Sequence, residues 1–183
     1  MPRFPLRLLV ILVVTGLAHG AAADDGDYSR PGVYVGGGLG VAWSSSSSSF
    51  PDVPQQHWET DPELNLTLGW RENERLAMEV EMAWIPSSEG IDYGNWLFGV
   101  NGKFFLLEDR IQPYLVLGAN GYWAKPPGAN AHEVDWGFRN GIGVDYYLDD
   151  HWAVGVETSF VWGVGNVWEN YFLETGVSAT YRF

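Results

Sequence analysis

Leu64-Asn65-Leu66-Thr67-Leu68-Gly69-Trp70-Arg71-Glu72-Asn73-Glu74-Arg75-Leu76-Ala77-Met78-Glu79-Val80-Glu81-Met82-Ala83-Trp84 decides the fold. Leu64, Leu66, Leu68 and Trp70 alternate with Asn65, Thr67, Gly69 and Arg71. After Glu72-Asn73-Glu74 the series resumes as Leu76, Met78, Val80, Met82 and Trp84 against Ala77, Glu79, Glu81 and Ala83. Period two belongs to a strand with two unlike faces. Two such runs joined by a short polar turn predict a hairpin. Strands of about ten residues, if tilted, are long enough to cross a bilayer.

The unit repeats along the chain. Residues 93–106 put Trp96, Phe98, Val100 and Phe104 on one face and Asn95, Gly99, Asn101 and Lys103 on the other, then return through 111–123 after Leu107-Glu108-Asp109. A third hairpin runs from Val134 to Tyr147, turns at Leu148-Asp149-Asp150 and returns from Trp152 to Trp162. A first strand, Val33 to Trp43, and a last, Tyr171 to Phe183, bring the expected number to eight. The expected fold is all-β, an eight-stranded antiparallel up-and-down transmembrane β-barrel. The remaining connections, 44–62, 86–92, 124–133 and 163–170, are longer than the acidic turns. In bacterial barrels long loops face outward and short turns face the periplasm, which puts both termini on the periplasmic side.

The chain begins with Arg3 and Arg7, an apolar run from Leu8 to Val14, and small residues ending Ala21-Ala22-Ala23. That order reads as a secretory signal peptide cleaved between Ala23 and Asp24. The apolar run falls well short of the roughly 20 residues a spanning helix needs. The expected organisation is a signal peptide at 1–23, a short segment at 24–30 and a barrel domain at 31–183. Cleavage would remove two basic residues and no acids, taking the net charge from −13 to −15. So acidic a chain is a poor match for nucleic acid, which asks for a basic face. With no cysteine there is no disulfide, so stability must come from pairing and packing.

A soluble barrel turns its apolar face inward, whereas a membrane barrel turns it to lipid. Here the apolar face is continuous and nearly uncharged. The opposite face is small and polar, with Arg71, Glu79, Glu81, Lys103, Arg139, Asp145, Glu157, Glu174 and Arg182. Four bases against five acids suit a narrow lumen where charges must pair. Lys103 is expected to pair with Glu79 or Glu81, and Arg139 with Glu157 or Glu174. Leu97, Phe105, Val116, Tyr122, Val161 and Phe172 also point inward on this reading and fill the lumen. Asn140 stands out, because it falls on the lipid face between Phe138 and Ile142. It calls for a local partner or for a bulge beside Gly141.

The Trp positions give the barrel its two ends. Trp43, Trp84, Trp96, Trp123, Trp136 and Trp162 meet the long loops and form an expected outer aromatic girdle, with Trp58 and Trp168 in or beside those loops. Tyr34, Phe104, Tyr114, Tyr146, Tyr181 and Phe183 cluster at the opposite strand ends as an expected inner girdle.

Three stretches resemble the small eight-stranded outer-membrane barrels of the OmpA/OmpX type, the outer-membrane protein beta-barrel domain family: Tyr34-Val35-Gly36-Gly37-Gly38-Leu39-Gly40, Pro113-Tyr114-Leu115-Val116-Leu117-Gly118 and Ala179-Thr180-Tyr181-Arg182-Phe183. The resemblance covers residues 31–183. It implies that Val177, Ala179, Tyr181 and Phe183 form an assembly signal read by the barrel-assembly machinery, with periplasmic chaperones during biogenesis. It also implies the outer membrane of a Gram-negative-type bacterium, with outer-membrane lipids including lipopolysaccharide as surroundings. The family is functionally diverse, so the fold selects no activity.

The chemistry-bearing residues are sparse. His57 with Glu59 and Asp61, or His132 with Glu133, would hold a metal only if loops converged, and solvated loop polars are the simpler reading. The Ser44–Ser49 run has no base beside it, and the His-x-Ser arrangement that deacylating barrels of this kind use is missing from the sequence. Gly36-Gly37-Gly38-Leu39-Gly40 lacks the lysine and helix of a phosphate loop. The expectation is a non-enzymatic, monomeric barrel with no catalytic, cofactor or metal site. Its role is structural and contact-making, serving envelope integrity and lipopolysaccharide or host-surface contact through four loops. The rivals are a small-solute channel and a lipid-A acyl hydrolase.

Overall fold

In hydrocarbon an alternating strand satisfies its backbone only by pairing along both edges, which forces closure. The computed structural model describes residues 27–46, 57–86, 95–124, 133–164 and 171–183. The strands are β1 (Gly32–Ser46), β2 (His57–Arg71), β3 (Leu76–Ile85), β4 (Asn95–Phe105), β5 (Ile111–Ala124), β6 (Glu133–Tyr147), β7 (Trp152–Val164) and β8 (Tyr171–Arg182). Each pairs antiparallel with its sequence neighbours, and β8 pairs with β1 to close the barrel. The closing seam runs from Tyr34↔Arg182 to Ser45↔Tyr171, and the Phe183 amide extends it by donating to the Val33 carbonyl at 3.1 Å. The expected signal peptide with its Ala23-Asp24 junction lies outside the described residues, as do His132 and Trp168.

The short turns are fixed by side chains that copy a backbone acceptor. Asn73 Oδ1 accepts from the Arg75 and Leu76 amides at 2.9 and 3.0 Å. Asp149 Oδ1 accepts from the His151 and Trp152 amides, both at 2.7 Å. Those two amides hold the exposed Asp149 carboxyl below its usual range.

Three sequence expectations are corrected. The connection expected at 44–62 is shorter, because the ladder continues to Ser46↔His57. Pro62 had read as a loop residue, yet it sits opposite Val41 within the ladder and the alternation continues through it. Asn140 lies at no bulge: its register is unbroken against both β5 and β7, with Leu117 and Phe160 as its direct neighbours. Tyr34 and Tyr114 do not join the inner girdle; both are buried in the lumen. Their nearness to the periplasmic ends suggested the girdle, but their parity within β1 and β5 turns them inward.

That inward turn explains two glycines. Tyr34 lies opposite Gly69, and Tyr114 opposite Gly143. A Cβ at either glycine would fall within the facing tyrosine ring. The missing side chains make room for the rings on the neighbouring strands.

Apart from a few residues such as Asn140, Thr158 and Thr175, the described outward face is apolar, from Val33, Leu39, Leu64, Leu66 and Leu68 round to Leu173 and Val177, all exposed. Trp84 and Trp96 pair across β3 and β4 with ring centroids 6.3 Å apart, and Trp96 lies opposite Trp123. At the periplasmic end Trp152, Tyr181 and Phe183 form a chain of edge contacts at 5.0 and 5.2 Å, with His151 stacked on Tyr181. Phe160 and Trp162 make a similar edge contact toward the outer end of β7.

Candidate functional site in the barrel lumen

The inward positions of eight strands meet in a lumen built in layers. Toward the outer end, Ala42, Ala83, Ile85, Leu97 and Val161 pack together with Phe172. Toward the periplasm, Tyr34, Ala77, Phe105, Tyr114 and Val116 form a second apolar layer. The charged groups lie between them. Tyr122, also expected to point inward, lies outside the described side chains.

Arg139 is the centre of the ionic layer. Its Nη1 meets Glu81 Oε2 at 2.5 Å, and its Nη2 meets Glu157 Oε1 at 2.8 Å and Glu174 Oε2 at 3.5 Å. Its Nε donates to Ser159 Oγ at 2.9 Å, and Ser159 in turn donates to Glu157 at 3.0 Å. A planar guanidinium with five donors suits this many-sided role, which a point charge would not fill. Lys103 Nζ stands 3.0 Å from Glu79 and 4.0 Å from Glu157, and 4.4 Å over the Tyr114 ring. The hydroxyls of Tyr34 and Tyr114 donate to Glu79 and Glu157 at 2.8 and 2.9 Å, and Asn101 Nδ2 donates to Glu81 at 2.8 Å.

Arg71 and Arg182 do not join this network. They lie at the periplasmic mouth, where the chain before β1 folds into the barrel. The Tyr28 carbonyl accepts from Arg182 Nη1 at 2.7 Å, Gln112 Nε2 at 3.2 Å and Arg71 Nη1 at 3.3 Å. The Tyr28 ring packs 5.6 Å from Tyr147, beside Ala153. Arg182 also donates to the carbonyls of Asp27 and Asp150, and Arg71 to those of Asn73 and Glu74. Each guanidinium is thus neutralised largely by carbonyl dipoles. Asp145 is buried between the two networks, lining a cavity of about 20 Å³ with Tyr34, Arg71 and Lys103.

The lumen is more acidic than its expected near-balance. Asp61 was placed in a loop and Glu63 was given no face, but both are buried and face inward from β2. They raise the acids to seven against four bases. A cavity of about 50 Å³ lies among Glu63, Glu81, Arg139, Glu157 and Glu174, room for a few waters. Glu174 is the weakest member: it is 4% exposed, and neither of its oxygens accepts a hydrogen bond. Arg139 already serves two closer carboxylates, so Glu174 adds buried charge with little compensation. The Glu174→Gln variant is therefore expected to raise stability by about 1 kcal/mol, whereas Glu81→Gln, which strips a doubly held carboxylate, lowers it. Guanidinium midpoints of refolded barrels in one detergent measure both, and a destabilised Glu174→Gln barrel would contradict the surplus-charge reading.

Sequence reasoning put Asn101 on the polar face but missed Tyr28, Gln112 and Ser159 as members of these networks. Parity alone could have placed Gln112 and Ser159 inward, whereas nothing local marks Tyr28. Among the described residues, no group of three or more His, Asp or Glu is arranged to hold a metal ion. The Ser159 hydroxyl accepts from Arg139 and donates to Glu157, a carboxylate that is itself ion-paired with Arg139.

A closed barrel with an apolar outer face, aromatic ends and a packed polar lumen defines an integral outer-membrane β-barrel protein. The chain belongs to the family described as outer membrane protein beta-barrel domain, which matches residues 9–183. No curated protein matches the sequence. Among solved structures, Neisserial surface protein A is similar with a TM-score of 0.66 and 16% identity, covering 82% of this chain and 97% of that one. The N-terminal β-barrel domain of Pseudomonas aeruginosa OprF gives 0.62 and 9%, covering 84% and 100%. Ail, the attachment invasion locus protein of Yersinia pestis, solved with the heparin analogue sucrose octasulfate, gives 0.54 and 12%, covering 83% and 99%. At these identities the likeness is one of fold.

Proposed function

We propose that the protein is a non-enzymatic outer-membrane barrel that supports the envelope and makes its contacts through the four outer connections. The observation that carries this reading is the filled lumen: an ionic layer between two apolar layers, with a further seal at the periplasmic mouth. Cavities of about 50 and 20 Å³ admit isolated waters rather than a solute file.

Delivery follows from the same reading. A signal peptide at 1–23 is removed before Asp24, the short segment 24–30 precedes the barrel, and the barrel domain at 31–183 inserts with the help of periplasmic chaperones and the assembly machinery. The outer connections carry Asp52, Glu89, Asp92 and Glu169 against Lys125. That sign disfavours a bare polyanion of the kind bound by Ail. It favours lipopolysaccharide bridged by divalent cations, or a neutral or basic host surface.

Planar-bilayer recording on the refolded mature chain tests the reading. The expected result is no stepwise conductance, together with an unchanged lipid A mass profile when the chain is expressed. Regular current steps would establish the channel, and loss of an acyl chain from lipid A would establish the hydrolase.

A further inference from the structure

Among the described residues, Asn140 is the side-chain amide that neither the lumen nor the turns account for. It lies midway along β6, on the lipid-facing side, in a row otherwise built from Val134, Trp136, Phe138 and Ile142. The unbroken ladders on both sides leave no bulge to turn it elsewhere. Its amide has no hydrogen bond to any described residue. On the neighbouring β7 and on β8 the outward face also carries Thr158 and Thr175, but their hydroxyls satisfy each other at 3.1 Å. Beside Asn140 the outer wall is hollowed into a groove of about 410 Å³, lined by Leu115, Leu117, Ile142, Phe160 and Leu173.

A primary amide brings two donors and an acceptor to a depth where neither water nor acyl chains offer a partner. Only another protein can satisfy it, and that protein must carry a polar group at the same depth. The outer faces of membrane barrels are apolar there by construction. A second copy of this chain meets the requirement automatically. Copies inserted the same way up and related by a two-fold axis along the membrane normal keep every residue at its own depth. Asn140 can then meet Asn140 of the second copy in a reciprocal amide pair. The groove beside it takes apolar side chains from the facing wall, where Leu117, 68% exposed, is the most prominent.

We propose that the β5–β7 wall is a self-association surface in the membrane, centred on Asn140. The proposal departs from the monomer expected on the sequence alone. Polar pairs between membrane segments are worth modest energies, so the dimer is a reversible one, and loss of the amide weakens it about 3- to 30-fold.

The chain has no cysteine, so single introduced thiols report contacts unambiguously. The full mature chain carrying Leu117→Cys, refolded into phosphatidylcholine vesicles, is expected to form a disulfide-linked dimer under a membrane-soluble oxidant. Leu66→Cys, on the opposite wall, is expected to form far less. Adding Asn140→Leu to Leu117→Cys should lower the dimer yield several-fold, while Asn140→Gln retains most of it. Heat-modified gel mobility verifies that the Asn140→Leu barrel is folded, as an apolar residue facing lipid should allow. Equal cross-linking from both walls overturns the proposal, as does a yield unmoved by Asn140→Leu. A chain that stays monomeric at every protein-to-lipid ratio also overturns it and leaves the groove to lipid or to another protein.

Discussion

Replacing Arg139 by alanine is expected to cost about 3–5 kcal/mol of barrel stability, the largest loss of any single lumen substitution. One guanidinium holds Glu81, Glu157 and Glu174 within 3.5 Å and orients Ser159. Without it, three carboxylates face one another in a space that admits only a few waters, with Lys103 engaged elsewhere by Glu79. The loss belongs to the abandoned acids more than to the departed base. Arg139→Ala combined with Glu81→Gln and Glu157→Gln should therefore recover a substantial part of it. Arg139→Lys should recover little, since an ammonium cannot reach three directions at once. Urea titration of refolded barrels in lipid vesicles measures all of these. A loss below about 1 kcal/mol for Arg139→Ala would show that water, rather than arginine, neutralises the lumen.

Deleting Phe183 should separate assembly from stability. In the finished barrel the residue is 66% exposed, with one backbone bond to Val33 and one ring contact with Tyr181. Those contacts are worth no more than about 1–2 kcal/mol together. Val177, Ala179, Tyr181 and Phe183 nevertheless all face outward at alternate positions, the pattern that the assembly-signal reading requires. The expected outcome is a severalfold drop in the amount of chain reaching the outer membrane, while refolded material unfolds near the midpoint of the full chain. Equal delivery of the truncated and full chains would remove the assembly role from Phe183, and a large shift in midpoint would make its role structural.

Much of this architecture was legible in the sequence, because period two assigns a face to each residue with no knowledge of its neighbours. The run from Leu64 to Trp84 yields its hairpin, its lipid face and its inward Glu79 and Glu81 in that way. Where the reading went astray, another cue had been allowed to override parity. Pro62 and the serines before it suggested a loop, which hid Asp61 and Glu63 and made the lumen look balanced. Tyr34 and Tyr114 lie near strand ends and look like girdle residues, yet alternation sends them inward. The choice of Glu79 over Glu81 for Lys103 follows from the β3–β4 register, which sets Lys103 opposite Ala77, and that register is invisible locally. So is the seat of Tyr28, whose donors come from three strands far apart in sequence.

That seat sets an order of events. Arg71 belongs to β2, Gln112 to β5 and Arg182 to β8. No partly assembled sheet holds all three around one carbonyl. The seat of the segment preceding β1 is therefore complete only in the closed ring, where that segment acts as a keystone. Its shelter from a periplasmic protease is then a time stamp, separating chains whose first and last strands have met from those still open at the seam.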